Sequence, residues 1–246
     1  MPLFKSLQKK IDRVNLVPFS LDFTETEKVI LERRSVRLYK DEQVPEFMVR
    51  RILEAGRFAP SAGNCQPWKF VVVRDPDLIY EMTEDVADAC GIFSKIVNYT
   101  RPGREGLRTF SKIMTRLRKH DLHPVPFAAV SLIGDRKLGL WHGAPTVLLI
   151  FYDTRGVGCP ELDCGIAGQN MVLAAHSMGL GTCWVSFSKL LFEYNPKWKK
   201  VFSISYPFKF ITSIAVGWPV GEPDGMISRQ THAVDWYEGQ KKSTIY

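Results

Sequence analysis

Residues 145–152 of the chain read PTVLLIFY, an apolar run rich in β-branched and bulky side chains that opens with a proline. A continuous apolar run of this length is typical of a strand that is buried on both faces. Residues 161–178 follow with the pattern of a long helix, and Gly179 is a natural residue to end that helix. Residues 181–186 then predict a short strand, so a strand–helix–strand succession forms the centre of the predicted fold.

The flanking segments continue the alternation of helices and strands. Thr24 and Glu27 have the spacing of a capping box, which predicts a helix that runs to about Arg34. Further elements are predicted as follows: a helix from Pro45 to Gly56, a strand over residues 68–73, a helix that starts near Pro76, and a strand over residues 210–216. Because helices and strands alternate along the chain, the fold class is α/β or α+β.

The composition is that of a globular protein. The chain has 246 residues, of which 45% are hydrophobic and 24% charged, and this mixture disfavours a disordered, collagenous or coiled-coil chain. The longest apolar stretch, residues 144–152, has about half the length of a membrane-spanning helix, and the N-terminus lacks the apolar core of a signal peptide. We expect one cytoplasmic domain over residues 1–246, with an N-terminal arm at 1–23 and a lid-like insertion at 91–143.

The chain is basic, since 33 lysines and arginines against 26 acids give a net charge of +7. Such an excess suits nucleic acid, anionic lipid, or an anionic cofactor or substrate. The five cysteines are odd in number and include no C-x-x-C pair, so we expect reduced thiols. Cys159 and Cys164, near a helix start, are either a thiol pair or buried inert thiols.

Two polar segments are candidates for ligand binding. Residues 33–37 read RRSVR, and in an extended chain Arg33, Ser35 and Arg37 share one face, where guanidiniums and a hydroxyl can clamp a phosphate. Residues 59–68 read APSAGNCQPW, in which short amides and hydroxyls stand between prolines and small residues let the backbone approach a flat ligand. The alternative for residues 33–37 is a solvated basic turn, and the alternative for residues 59–68 is a turn with a purely structural role.

Two further segments give weaker signals. Residues 179–184 read GLGTCW, whose exposed amides could pack beside a ring or hold an oxyanion. A tight turn between a helix and a strand explains the same glycines. Arg229 is a single arginine in a polar tail, and such an arginine is ordinarily a charge on the surface. It becomes a candidate for ligand binding only when it is considered together with the other segments.

In this order and at these spacings, the segments resemble the FMN-dependent nitroreductase family. The resemblance runs from about Glu32 to Trp236, and its most specific parts are the R-R-S-x-R opening and the P-S-A-G-N-x-Q-P-W loop. The stretches WHGAP at 141–145 and DCGIAGQNM at 163–171 are similar to the family's middle strand and central helix. The resemblance implies an α+β nitroreductase-like fold, in which helices surround a central mixed, mainly antiparallel sheet. It also implies an intertwined homodimer with one FMN per subunit at the interface.

The resemblance assigns binding roles position by position. Arg33 and Ser35, joined by Arg229, match the positions that grip the FMN phosphate. Arg34 and Arg37 match positions that face the pyrimidine edge of the flavin, and Asn98 is a further candidate there. The loop that reaches the flavin, commonly from the partner subunit, is matched by Pro60, Ser61, Ala62, Gly63, Asn64 and Gln66. Thr182 and Cys183 match the backbone stretch that packs near the ring.

The implied reaction is a ping-pong transfer of hydride from NAD(P)H to flavin N5 and then to an oxidised small molecule such as a nitroaromatic or quinone. Because the cofactor carries out this chemistry, we expect no essential protein acid or base and no metal. Relatives on the same scaffold fragment flavin, remove halogens or oxidise azolines, and these reactions remain alternatives.

Two alternatives come from other classes of protein. A nucleic-acid-binding module would use the net charge and a predicted basic helix around residues 108–119, with the cations Lys112, Arg116, Arg118 and Lys119. A thiol enzyme would use Cys65 as nucleophile and His142 as base, although Pro67 indicates a loop at Cys65 rather than an activating helix N-terminus. We expect neither nucleic acid nor a membrane as partner.

Overall fold

The computed structural model describes residues 23–97, 124–221, 232–239 and 241–245. These residues form two compact units, of which the first contains residues 23–34 with 232–239 and 241–245, and the second contains residues 35–97 with 124–221. The described helices are α1 (Glu25–Glu32), α2 (Glu46–Arg57), α3 (Pro76–Val97), α4 (Pro124–Gly134), α5 (Pro160–Ser177), α6 (Lys189–Tyr194) and α7 (Pro196–Val201). The described strands are β1 (Trp68–Val73), β2 (Thr146–Asp153), β3 (Gly181–Val185), β4 (Phe208–Gly217), β5 (Val234–Glu238) and β6 (Lys241–Ile245).

The first unit holds α1 and a hairpin of β5 and β6. The predicted capping box is confirmed: the Glu27 N–H donates to Thr24 Oγ1 at 3.3 Å, and the Thr24 N–H donates to the Glu27 carboxylate at 2.7 Å. These two bonds satisfy amide donors that the first turn of a helix leaves without partners. The hairpin is antiparallel, with Val234 opposite Ile245.

The second unit is built on a four-stranded antiparallel sheet in the order β1-β2-β4-β3. The register pairs Trp68 with Tyr152 at one end of the sheet and Thr146 with Val216 at the other. An isolated parallel bridge adds Ser35 to Thr182 on the outer side of β3. The sheet is therefore mixed and mainly antiparallel, as predicted.

Strand β2 is the centre of the core, because residues 147–151 are completely buried. Alternate side chains of a strand point to opposite faces, so β2 contributes to two hydrophobic clusters. Leu148 and Ile150 pack with α2 and α5, whereas Val147, Leu149 and Phe151 belong to the cluster that includes α3, α6 and α7. Helices thus cover both faces of the sheet, which explains why the sequence of β2 is apolar throughout.

Part of the predicted lid-like insertion belongs to the core. Helix α3 continues to Val97, and α4 lies so close to it that a Cβ added at Gly134 would stand 2.7 Å from the Gly91 nitrogen. Leu140 and Trp141 are each 1% exposed. At Gly91, Gly134, Leu140 and Trp141 the chain is therefore closely packed, as in a core, whereas the lid-like insertion over residues 91–143 as a whole stays a prediction.

Several predictions fall on residues that the structure does not describe. The N-terminal arm up to residue 22, Asn98, the basic helix around 108–119 and Arg229 all lie outside the described residues. The prediction of one domain over residues 1–246 stays a prediction. In the described part of the chain, no helix is both long enough and apolar enough to cross a lipid bilayer.

Candidate functional site

Residues 35–37 lie along the outer edge of β3. The Val36 N–H donates to the Thr182 carbonyl at 2.9 Å, which fixes this stretch as an extended neighbour of the strand. The Tyr39 hydroxyl donates to the Val36 carbonyl at 2.8 Å. The Lys40 N–H donates to the Trp218 carbonyl, and the Val220 N–H donates to the Leu38 carbonyl. Ser35 and Thr182, which the sequence placed in separate motifs, are therefore brought side by side.

A glycine permits this close approach. A Cβ added at Gly181 would lie 2.7 Å from Val36 Cγ2, a distance that requires the valine or the backbone to move. Gly181 is not in the left-handed region, so its role is steric rather than conformational. The GLGTCW motif thus has a packing function in addition to any contact with a ligand.

The substitution Gly181→Ala is expected to lower the free energy of unfolding by about 1–3 kcal/mol, because it overpacks a fitted contact. In a chain of this size each kcal/mol corresponds to a fall in Tm of about 2–4 °C. Adding Val36→Ala should recover part of the loss, so a double-mutant cycle measured by thermal unfolding should show a positive coupling of about 1 kcal/mol. If the effects of the two substitutions on the free energy of unfolding were simply additive, the contact between residue 181 and Val36 would be contradicted.

Arg37 places a positive charge beside Cys183 and His142. Burial raises the pKa of the Cys183 thiol, and the Arg37 charge opposes that shift. Burial lowers the pKa of the His142 imidazole, and the same charge lowers it further. The arginine side chain itself is exposed. Its charge therefore acts on a thiol in the middle of β3 and on an imidazole shortly before β2, and burial favours the neutral form of both.

Arg33 and Arg34 lie in the first unit, at the end of α1. Arg33 caps the C-terminus of α1, with its N–H donating to the Val29 carbonyl at 3.2 Å. Arg34 is 8% exposed. The Nε of Arg33 is buried and has no hydrogen-bond partner within the described residues. A buried guanidinium N–H without a partner is costly, and an anionic oxygen would satisfy it.

The second candidate segment, residues 60–66, is a short loop held by its own side chains; we call it the polar loop. Ser61 Oγ accepts a hydrogen bond from the Gln66 N–H at 2.9 Å, and the Gln66 side-chain amide donates to Asn64 Oδ1 at 3.1 Å. The Ala62 N–H donates to Asp163 Oδ2 at 3.2 Å. Asp163, in the first turn of α5 and 7% exposed, thereby anchors the loop to the helix.

The backbone of the polar loop is strained. Gly63, Asn64 and Gln66 have φ angles of 58°, 54° and 49°. Glycine and asparagine tolerate this left-handed region, but for Gln66 it costs about 1–2 kcal/mol. Strained backbone with exposed amides clusters at functional sites, so this geometry favours a binding role over a simple turn.

Replacing Asp163 by alanine is expected to lower the free energy of unfolding by about 1–3 kcal/mol, because the Ala62 N–H loses its acceptor. Hydrogen exchange at the Ala62 amide should accelerate accordingly. Asp163→Asn is the matched control, since it retains a carbonyl oxygen at this position and should lose less. Equal exchange rates in the wild type and Asp163→Ala would show that the carboxylate does not hold the loop.

The polar loop and Ser35 lie at opposite corners of the second unit. The loop ends at Trp68, on the far edge strand, whereas Ser35 lies beyond β3 at the other end of the strands. Strand spacing and rise place these two residues roughly 25 Å apart. The loop of one chain is therefore remote from the Ser35–Arg37 stretch of the same chain.

The same geometry argues against the thiol-enzyme alternative. Cys65 is in the polar loop, whereas His142 precedes β2 at the opposite end of the sheet, roughly 20 Å away along the strands. His142 is instead influenced by Arg37. The two residues therefore do not form a nucleophile–base pair within one chain.

The remaining cysteines and possible metal ligands add little to the site. Burial raises the pKa of the Cys164 thiol to about 12, so this residue is an inert core thiol, while Cys159 is exposed. All five cysteines are free. Within the described residues, no cluster of three or more His, Cys, Asp or Glu side chains could hold a metal ion.

The sequence did not reveal the positions that two residues take in this site: His142 was named only as the base of a thiol enzyme, and Asp163 only as part of the central helix. His142 has a φ of 57° and is followed by Gly143 at 75°, a left-handed pair that no periodicity reveals. Asp163 resembles any acid in the first turn of a helix, where a negative charge is ordinary. The contact of Asp163 with Ala62, 101 positions earlier in the chain, appears only in the folded structure.

Residues 30–218 match the family model described as the Nitroreductase family. The match covers most of the chain and includes the arginines at 33–37, the polar loop and β3. The chain therefore belongs to the nitroreductase family.

Relatives and solved structures agree with this placement. A protein of Archaeoglobus fulgidus, named as a candidate NADH dehydrogenase/NAD(P)H nitroreductase, is 27% identical over 197 residues, which cover 80% of this chain and 87% of that protein. Iodotyrosine deiodinase 1 of Sus scrofa is 25% identical over 234 residues, or 87% of this chain and 72% of that protein. A nitroreductase from Desulfitobacterium hafniense, solved with bound FMN, shares the fold with a TM-score of 0.62 at 23% identity, over 85% of this chain and 96% of that one.

Proposed function

We propose that this protein is an FMN-dependent oxidoreductase that transfers hydride from NAD(P)H, by way of the flavin, to a nitroaromatic, quinone or related oxidised acceptor. The observation that carries the proposal is the buried Arg33 Nε–H, which lacks a hydrogen-bond partner among the described residues of a nitroreductase-family chain. An FMN phosphate would supply the missing acceptor. The relative named for NAD(P)H nitroreductase activity and the fold neighbour with bound FMN support the same assignment.

The two candidate segments suit different parts of the cofactor. Guanidiniums at 33, 34 and 37 and the Ser35 hydroxyl suit a phosphate and an electron-rich ring edge. The exposed amides of Asn64 and Gln66, on a backbone already constrained by Ser61, suit the hydrogen-bonding edge of a heteroaromatic ring. Arg229 would join the phosphate group, as the family resemblance implies.

FMN, when bound, supplies the hydride chemistry itself. The part of this chain is to bind and orient the ring and to place charge near it. The Arg37 guanidinium favours negative charge at the adjacent position, while Cys183 and His142 stay neutral because burial disfavours their charged forms. No protein acid or base is needed in this scheme.

We further propose that a second copy of the chain completes the site. The polar loop is too far from Ser35 to share a flavin with it in one chain, so a partner subunit would supply the loop. Large apolar side chains flank the loop and are exposed, with Phe58 at 84%, Val157 at 66% and Leu162 at 60%. Large apolar side chains that are exposed near the loop favour burial against another chain.

We also propose that the protein works in the cytoplasm. Its five cysteines are free thiols in the structure, and a reducing compartment would keep them so.

The flavin assignment is tested by spectroscopy of the purified protein. We expect a yellow protein with the absorbance bands of bound flavin, which bleaches when NADH or NADPH is added under argon and recovers when a nitroaromatic or quinone is admitted. A colourless protein that takes up no FMN on reconstitution would overturn the assignment.

Reductive dehalogenation is the second candidate reaction, because the iodotyrosine deiodinase relative aligns over 87% of this chain. The two reactions differ in acceptor and not in cofactor. Reduced protein would therefore be offered an iodinated phenol and a nitroaromatic in separate anaerobic reactions. Flavin reoxidation with release of iodide would favour dehalogenation, whereas reoxidation by the nitro compound alone would favour nitroreduction.

A further inference from the structure

A cavity of about 390 Å³ opens on the second unit, where β2 ends and β4 begins. Its walls come from these two strands, from α6 and α7, and from Ile204. The volume lies within the range of about 300–1,000 Å³ that is usual for small-molecule sites. None of the residues assigned to flavin binding lines this cavity.

The floor of the cavity is a rigid aromatic cluster. Phe151 meets the rings of Phe192 and Phe210 edge-on, at centroid distances of 5.1 and 5.3 Å, and Phe192 stacks on Phe210 at 4.4 Å. All three side chains are less than 9% exposed. Because the rings hold one another in place, this side of the cavity is preformed. Tyr152 and Phe208, which also line the cavity and are partly exposed, provide the aromatic surface that a ligand would contact.

The rim of the cavity is cationic. The rim contains three lysines and one carboxylate, which are Lys189, Lys199, Lys209 and Glu193. Glu193 is paired with Lys189 at 3.1 Å, and neither Lys199 nor Lys209 has a carboxylate within salt-bridge distance in the described part of the chain. The rim therefore carries an excess of positive charge over an aromatic floor.

The cavity is separate from the stretch assigned to the cofactor. Phe210 lies near the start of β4, and Val216, the partner of Thr182, lies near its end. Six residues of extended chain separate them by about 20 Å. A ligand in the cavity would not touch the Ser35–Arg37 stretch of the same chain.

We propose that this cavity binds a small aromatic anion, namely one or two fused rings that carry a carboxylate, sulfonate or phosphate group. The ring would lie against Tyr152 and Phe208, above the phenylalanine cluster, and the anionic group would lie between Lys199 and Lys209. The recognition would combine apolar burial with charge, so neither an uncharged aromatic compound nor inorganic phosphate alone would be a good ligand.

The test is a calorimetric titration of the full-length, FMN-saturated protein with 2-naphthoate, and with 2-naphthamide as its uncharged counterpart. We expect the naphthoate to bind at least about fivefold more tightly than the amide, a difference in the range of two partly exposed ion pairs. Lys199→Gln/Lys209→Gln should lose this preference. Lys137→Gln, an exposed lysine remote from the cavity, is the matched control and should keep it.

The flavin spectrum separates this cavity from the cofactor site. Binding in the cavity should leave the spectrum unchanged, and the affinity should be the same in FMN-free protein, so the result does not depend on the flavin assignment. Equal affinity in the wild type and in Lys199→Gln/Lys209→Gln, equal binding of the amide, or naphthoate binding that only perturbs the flavin would each overturn the proposal.

Discussion

Replacing Arg33 by alanine is expected to weaken FMN retention about ten- to a hundredfold, because a hydrogen bond to a charged group contributes about 1.5–3 kcal/mol. The Nε of Arg33 is buried without a hydrogen-bond partner in the described residues. The substitution therefore removes a hydrogen bond that we expect only when FMN is bound. Dissociation of FMN can be followed by the recovery of free-flavin fluorescence on dilution.

The stability of the FMN-free protein separates this role from a structural one. Removal of an unsatisfied buried donor should not lower the Tm of the cofactor-free chain. Arg51→Ala, which removes an exposed arginine from α2, is the matched control and should alter neither FMN retention nor Tm. If Arg33→Ala holds FMN as tightly as the control, the phosphate role of Arg33 is wrong.

The sequence predicted those elements whose causes are local. The capping box of α1, the apolar run of β2 and Gly179 after α5 depend on neighbouring residues, and each is confirmed within a residue or two. Helix α4 was missed because its segment begins with two prolines and its packing partner is the distant α3. Helices α6 and α7 have six residues each, which is too short for a periodic pattern to be distinctive.

The same holds for the candidate site: its residue types could be predicted from the sequence, whereas its contacts between distant residues could not. Residue types at 33–37 and 60–66 indicated polar binding segments, because hydroxyls, amides and guanidiniums reveal their chemistry in the sequence. The pairing of Ser35 with Thr182 and the anchoring of Ala62 by Asp163 join residues more than a hundred positions apart. Such contacts follow from the topology of the sheet and have no local signature.

The separation of the polar loop from Ser35 leads to the second large prediction, which concerns mixed dimers. One variant, Arg33→Ala/Arg37→Ala, would lack the two cations that we propose for the FMN phosphate and for the edge of the flavin ring. The other, Ser61→Ala/Asn64→Ala, would lack the side chains that bond to Gln66 and shape the loop. Each variant alone should retain less than about a tenth of the wild-type FMN.

A mixed dimer of the two variants should recover about half of the wild-type FMN content, because a twofold arrangement places both defects in one site and leaves the other intact. The two chains would carry different affinity tags, so that tandem purification isolates the mixed dimer and absorbance gives its flavin content. Dimers of two chains with the same defect, purified in the same way, are the control. If the mixed dimer is as poor in FMN as these controls, each site is built within one chain, and the polar loop must reach Ser35 by a rearrangement of roughly 25 Å.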